Sequence, residues 1–223
     1  MLIGISGKIK SGKDTVGEML YNLGCIEYSI YKYSFADSLK KIVASIVDCD
    51  YNSLNNQEFK ASHIPNFIKI TKDGIITHIV PNSKIFYKDI FRTYEVVTYR
   101  EALQFFGDKF RSEYGQDFWI RMLKSDLMYE EPSFNIITDV RYKNEADFIK
   151  SNKGILIRVD RSEVQTPKNI SSHSSEMELD NYPNFDYIIE NNGTLEELES
   201  KVQLVYKSIK NLNIANRRII IGN

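Results

Sequence analysis

Cysteine is scarce in this chain. Cys25 and Cys49 are the only two in 223 residues. They have no metal-ligand spacing, and free thiols in a reducing compartment are expected. Long apolar runs are missing too. The first, Met1 to Ile5, is a run of five residues. That is too short for a secretory signal, and no later run reaches the length of a membrane span. A surplus of one charge is also lacking. The 29 Lys and Arg are matched by 30 Asp and Glu, giving a net charge of −1. Bulk nucleic-acid binding by net positive charge is therefore excluded, and any phosphate site must come from local clustering. Neither an internal repeat nor a long low-complexity segment is present. A cytoplasmic, soluble protein without membrane contact is expected. The hydrophobic fraction of 42% suffices for a sizeable core in one domain, or one domain with a sub-domain.

What is present begins at once. Leu2 to Ile5 is apolar, and Gly7-Lys-Ile-Lys-Ser-Gly12-Lys13 comes next, ahead of an amphipathic run through Val16, Met19, Leu20 and Leu23. Gly7, four residues, Gly12 and Lys13 have the spacing of a phosphate-binding P-loop between a strand and a helix. Glycines permit backbone angles that a Cβ forbids. Successive N–H groups then converge on phosphate oxygens at a helix N-terminus. Gly7, Ser11, Gly12, Lys13, Asp14 and Thr15 are the candidate contacts, with Lys13 a point charge for the outer phosphates. The position after the lysine usually carries Ser or Thr as a magnesium ligand. Here it is Asp14, which can hold a hydrated magnesium instead.

Further on, Ile26–Phe35 is expected as a strand and Ala36–Val47 as a helix with Leu39, Ile42, Val43 and Ile46 on one face. Asp48–Asn66 reads as a loop. Phe67–Val80 reads as a hairpin turning at Lys72-Asp73-Gly74. The stretch 48–97 breaks the α/β rhythm and is taken as an insertion. Thr98-Tyr-Arg-Glu101 is a capping box opening a helix to about Phe110. Asp117 caps another, carrying Trp119, Ile120 and Leu123. Phe134–Thr138 is a short apolar strand, followed by a helix with Ala146, Phe148 and Ile149. Ile155–Val159 is the next strand. A long polar segment, 160–183, has the character of a lid. Tyr187–Glu190 is the last strand, and a second capping box at Thr194–Glu197 opens a helix to about Leu212. Residues 213–223 are expected as a tail packing on the domain.

Strands alternating with helices imply an α/β fold: a central parallel sheet with helices on both faces. Ligands bind such sheets at the carboxyl ends of the strands. Asp139, ending an apolar strand, can hold a magnesium-bound water, accept from a substrate, or cap the next helix. Arg141 can bridge an anion. Glu145, one turn on, can pair with Arg141 or contact a base. Arg100 and Gln104 share one helix face, where arginine suits a phosphate and glutamine a base edge. Trp119 can stack on a base or fill the core. Arg161, at the foot of the lid, can neutralise a moving phosphoryl group. His173 is read as a hydrogen-bonding lid residue, and Arg111 and Arg121 as surface residues.

Taken in order, these pieces resemble the bacteriophage-type deoxynucleoside monophosphate kinases over most of the chain. The loop Ser6 to Thr15 has that family's aspartate after the lysine. Phe35-Ala-Asp-Ser-Leu-Lys40, Leu103-Gln-Phe-Phe-Gly107, Asp117-Phe-Trp119 and Thr138-Asp-Val-Arg141 with Asn144-Glu145 are similar to further family segments. So are His173-Ser-Ser-Glu176 and the stretch Asp186 to Glu197. The resemblance implies a P-loop kinase-like three-layer sandwich over 1–212, with the inserted hairpin and a lid. It implies ATP on the P-loop and Mg2+ as cofactor, with Asp14 as a metal contact, direct or through water. It implies a deoxynucleoside monophosphate held by Lys10, Arg100, Gln104, Trp119, Asp139, Arg141 and Glu145. Lys8 is an alternative to Lys10 at the acceptor phosphate. Lys13, Arg161 and Asp139 are the implied catalytic groups. The partners implied are small-molecule nucleotides, and homodimer formation is left open. Two rivals stand beside this: the animal-type phosphomevalonate kinases, which share the loop and the Asp-x-Arg strand end, and a nucleotide-binding module of low turnover.

Overall fold

The computed structural model describes residues 1–70, 94–127, 133–162 and 177–220; for 65–70, 94–97 and 213–220 it describes the backbone alone. The chain divides into two compact units. One comprises Met1–Phe35 and Leu123–Asn223, the other Ala36–Met122.

The first unit is a five-stranded parallel sheet. Its strands are β1 (Leu2–Ser6), β2 (Ser29–Tyr33), β5 (Ser133–Val140), β6 (Ile155–Asp160) and β7 (Tyr187–Glu190), ordered β2-β5-β1-β6-β7. Alternation along the strands sorts their side chains to opposite faces. Ile3 and Ile5 of β1, Phe134 and Ile136 of β5, and Ile155, Ile157 and Val159 of β6 form one core. That core is closed by Val16 and Leu20 of α1 (Lys13–Gly24) and by Leu198, Val202, Tyr206 and Ile209 of a long C-terminal helix. On the other face, α6 (Lys143–Ser151) comes so close that a Cβ at Gly4 would overlap the Ile149 side chain. A Cβ there would require the ends of the Ile149 and Leu156 side chains to shift. The result is the expected three-layer sandwich.

Two boundaries differ from expectation. Strand β2 starts at Ser29, not Ile26, whose side chain is 91% exposed. The C-terminal helix, α7, runs unbroken from Leu195 to Ile220, so residues 213–220 continue it instead of forming a separate tail. Of the proposed lid, 163–176 lies outside the described residues, His173 included.

The second unit holds α2 (Asp37–Val47), a 3-10 turn (Asn52–Asn55), α3 (Gln57–Ala61), β3 (His63–Ile70), β4 (Tyr94–Thr98), α4 (Tyr99–Tyr114) and the start of α5 (Phe118–Asp126). Leu39, Val43, Ala44 and Val47 of α2 pack with Leu54, Tyr99, Ala102 and Trp119. The polar stretch expected as a loop thus contains two short helical pieces. Asn56 makes the second possible: its side chain accepts from Glu58 N–H (2.8 Å) and Phe59 N–H (3.0 Å), an N-cap that composition alone does not reveal. Strand β3 pairs antiparallel with β4. The expected turn at Lys72-Asp73-Gly74 lies outside the described residues. The Thr98 capping box is present, with Glu101 Oε2 accepting from Thr98 N–H at 2.8 Å. Its helix continues to Tyr114, one turn beyond expectation.

Candidate active site

Strand β1 ends at Ser6, between Val140 of β5 and Arg158 of β6. The loop of residues 7–12 therefore leaves the carboxyl edge at the middle of the sheet. The loop is shaped by two left-handed residues, Lys10 (φ 62°) and Gly12 (φ 95°). Lys10 is a residue type that seldom adopts this region, and nothing in its spacing announced it. Gly7 is not among the positive-φ residues. It is needed for space instead, because a Cβ there would sit 2.7 Å from the Val159 carbonyl oxygen. Ser11 N–H donates to Lys8 O at 3.1 Å, which tightens the turn.

Helix α1 opens at Lys13 from an N-cap glycine, Gly12, with no side-chain cap. No N-cap side chain therefore occupies this helix end, the kind of end at which backbone N–H groups can meet a phosphate. Lys13 is buried, with its ammonium 4.0 Å from the Asp14 carboxylate. Asp14 and Thr15 are exposed. Lys8 pairs with Asp180 at 2.9 Å. Lys10 is exposed and has no such partner among the described residues.

Asp139 lies at the end of β5, next to the P-loop strand. Its Oδ2 accepts from the Ser34 hydroxyl at 2.5 Å and its Oδ1 from Phe35 N–H at 2.8 Å. The carboxylate thus ties the chain leaving β2 to the end of β5. The cap of α6 is supplied by Glu145, not by Asp139. Glu145 is 2% exposed, and its Oε2 accepts from the N–H groups of Arg141 (2.9 Å) and Tyr142 (3.1 Å). The Arg141 and Tyr142 backbone amides are thus partners of Glu145 that the sequence, read for a guanidinium pair or a base contact, did not announce. Arg141 itself is half-buried, and Arg161 is exposed just past β6.

Arg100 and Gln104 lie one turn apart on α4, both half-buried, and Arg100 donates to Gln57 Oε1 at 3.0 Å. Trp119 is corrected. It is 2% exposed and packs against Phe110 and Phe118, and its indole N–H donates to Gly107 O at 3.2 Å. Its faces are spent on the core of the second unit, and no base can stack on them there.

Sequence reasoning assigned no role to two groups on the carboxyl edge. Arg158 is 8% exposed. It donates to Asp160 (2.8 Å) and Asp180 (3.0 Å), and Asp180 in turn holds Lys8. Its signal was a lone charge inside an apolar strand. Asn191, immediately after β7, is 7% exposed, and its side-chain Nδ2 donates to Ser11 O at 2.8 Å. Among the described residues no group of three or more His, Cys, Asp or Glu is placed to hold a metal ion. The lone exposed carboxylate of Asp14 fits a hydrated ion carried on nucleotide phosphates better than a protein cage.

A family model described as deoxynucleotide monophosphate kinase matches residues 46–202. The chain belongs to the deoxynucleotide monophosphate kinase family. A relative from Acanthamoeba polyphaga mimivirus, named "Putative deoxynucleotide monophosphate kinase", is 32% identical over 206 residues, covering 91% of this chain and 94% of that protein. A crystal structure of shikimate kinase from Aquifex aeolicus aligns with a TM-score of 0.44 at 14% identity, covering 94% of this chain and 98% of that one. The fold rests on the sheet order and core described above, not on that alignment. Family membership and the fold support nucleotide kinase activity, a phosphotransferase reaction. No helix among the described residues is long and apolar enough to cross a membrane.

Proposed function

We propose that this family member transfers the γ-phosphoryl group of ATP to a deoxynucleoside monophosphate, releasing ADP and a deoxynucleoside diphosphate. The observation that supports this most is the uncapped N-terminus of α1, with the buried Lys13 and the left-handed Gly12, at the carboxyl edge of a family member's sheet. An oxygen of the acceptor phosphate attacks Pγ in line, and the bond from Pγ to the β–γ bridging oxygen breaks. The acceptor is already ionised, so no general base is needed. The protein's task is to position two polyanions and to place positive charge where it develops.

In this reading Gly7, Ser11, Gly12, Lys13, Asp14 and Thr15 hold ATP, with Lys13 on its outer phosphates. Asp14 contacts the nucleotide-borne Mg2+, directly or through water. When bound, the ion supplies charge neutralisation on the phosphates. Lys10 is the loop lysine proposed for the acceptor phosphate, since Lys8 is paired with Asp180. Arg141 is proposed as an anion contact, and Arg100 and Gln104 as contacts of the acceptor nucleotide. Asp139 positions the Ser34–Phe35 segment and accepts from the substrate. Arg161, just past β6, is proposed to supply charge to the transferring group. A cytoplasmic location fits this substrate class.

The test is ADP release with ATP and magnesium across the four deoxynucleoside monophosphates, their ribo-forms and phosphomevalonate. Turnover with at least one deoxynucleotide and none with phosphomevalonate is expected. Turnover with phosphomevalonate alone overturns the acceptor assignment.

A further inference from the structure

Asn191 lies where strand β7 ends, and its environment is unusual for a residue just past a strand. It is buried, and its backbone N–H donates to Asp160 O at 2.7 Å, extending the β6–β7 ladder by one residue. Its side chain turns to the P-loop and donates from Nδ2 to Ser11 O at 2.8 Å. The same amide occupies the place that a Cβ on Gly12 would take. The Ser11 hydroxyl is buried and has no partner among the described residues. Among the described side chains, the Asn191 bond is thus the tether on Ser11.

The carbonyl of Ser11 and the N–H of Gly12 belong to one peptide unit. A trans peptide is planar, and its C=O and N–H point in opposite directions. Holding the carbonyl on one side therefore aims the N–H at the other. The bond holds the Ser11 carbonyl on the Asn191 side, so the Gly12 N–H is directed away from Asn191. In a phosphate-binding loop that N–H is one of the converging donors.

We infer that Asn191 is a positioning residue for ATP: by holding the Ser11 carbonyl it aims the Gly12 N–H at the nucleotide phosphate. This rests on the reading of the P-loop as the ATP site. Side chain and glycine form one device, because the left-handed Gly12 leaves the space in which the Asn191 amide sits.

The experiment measures binding of a non-hydrolysable ATP analogue with magnesium to the full chain by calorimetry. Wild type, Asn191→Ala and Asn191→Asp are compared at several pH values. Asn191→Ala frees the peptide to rotate, and about a tenfold loss of affinity is expected from one buried hydrogen bond. Asn191→Asp keeps the shape, so it serves even where the alanine variant folds poorly. At neutral pH its carboxylate faces the Ser11 carbonyl as a second acceptor, and a loss of about a hundredfold is expected. As pH falls and the carboxyl protonates, it regains a donor. Its affinity relative to wild type at the same pH should then recover several-fold. A purely packing role would give no such recovery. Affinity within about twofold of wild type for either variant overturns the inference, and so does an Asn191→Asp deficit that does not change with pH. No acceptor is present in this measurement. Failure of the deoxynucleotide reading would therefore appear in the turnover panel and not here.

Discussion

Removing the Asp139 side chain strands two donors. Phe35 N–H and the Ser34 hydroxyl both end on this carboxylate, at 2.8 and 2.5 Å. A hydrogen bond to a charged acceptor contributes about 1.5–3 kcal/mol. Asp139 is half-buried, so the lower end of that range applies to each bond. The two losses are not equal. The Ser34 hydroxyl can turn to water, whereas Phe35 is 4% exposed and its amide has less recourse. Asp139→Ala is therefore expected to lower unfolding free energy by about 3 kcal/mol. Asp139→Asn presents its amide oxygen to Phe35 N–H, and its amide nitrogen can donate to the Ser34 oxygen. It should lose only about 1 kcal/mol, the difference between a charged and a neutral acceptor. Chemical denaturation followed by circular dichroism measures both. An alanine variant as stable as wild type would refute the tether. Turnover adds a second reading. If Asp139 also accepts from the substrate, Asp139→Asn loses far more activity than its small stability change explains.

The same geometry sets other outcomes. Gly12→Ala places a Cβ at φ 95° and against the Asn191 amide. It should weaken binding of an ATP analogue more than tenfold by titration, since the left-handed strain alone is about 1–2 kcal/mol. Trp119→Phe leaves the buried Gly107 carbonyl without its indole donor and should lower stability by about 1 kcal/mol. Its KM for the acceptor should stay within about twofold of wild type, since the ring faces the core; a larger rise would restore Trp119 to the site. At alkaline pH, stability should fall from about pH 9 to about pH 12. Burial, aided by nearby carboxylates, pushes the Cys49 thiol up to about 11 and the Tyr51 and Tyr182 phenols up to about 12. Each raised group stabilises the fold below its unfolded pKa and ceases to do so as pH climbs through its folded one. Thermal melts across that range should show the decline, and Tyr182→Phe should flatten part of it.

The sheet was legible because its signals are local. Leu2–Ser6, Phe134–Thr138 and Ile155–Val159 are apolar runs bounded by polar or glycine residues, and the P-loop spacing marks where the first of them ends and a helix begins. Capping boxes at Thr98 and Thr194 gave helix starts for the same reason. The polar stretch after Asp48 was misread because its short helices depend on one cap, Asn56, within a composition that otherwise says loop. Strand β3 finds its partner far along the chain at Tyr94–Thr98. Such pairing has no nearest-neighbour signature. In the candidate site, residue type showed which groups can do phosphate chemistry but not which are already engaged. Glu145 and Trp119 looked available until burial showed one capping a helix and the other filling a core. Asn191 and Arg158 were passed over because their importance lies in what they touch across the sheet edge, at Ser11 and Asp180.

The most direct test of the account tracks label from γ-labelled ATP into product, for wild type and Lys13→Ala, with each deoxynucleoside monophosphate as acceptor. Wild type is expected to place label in a deoxynucleoside diphosphate, and Lys13→Ala to lose it almost completely. A Lys13→Ala protein that retains most of the transfer would contradict the P-loop mechanism. Wild-type protein that binds ATP but labels no deoxynucleotide would contradict the proposed reaction.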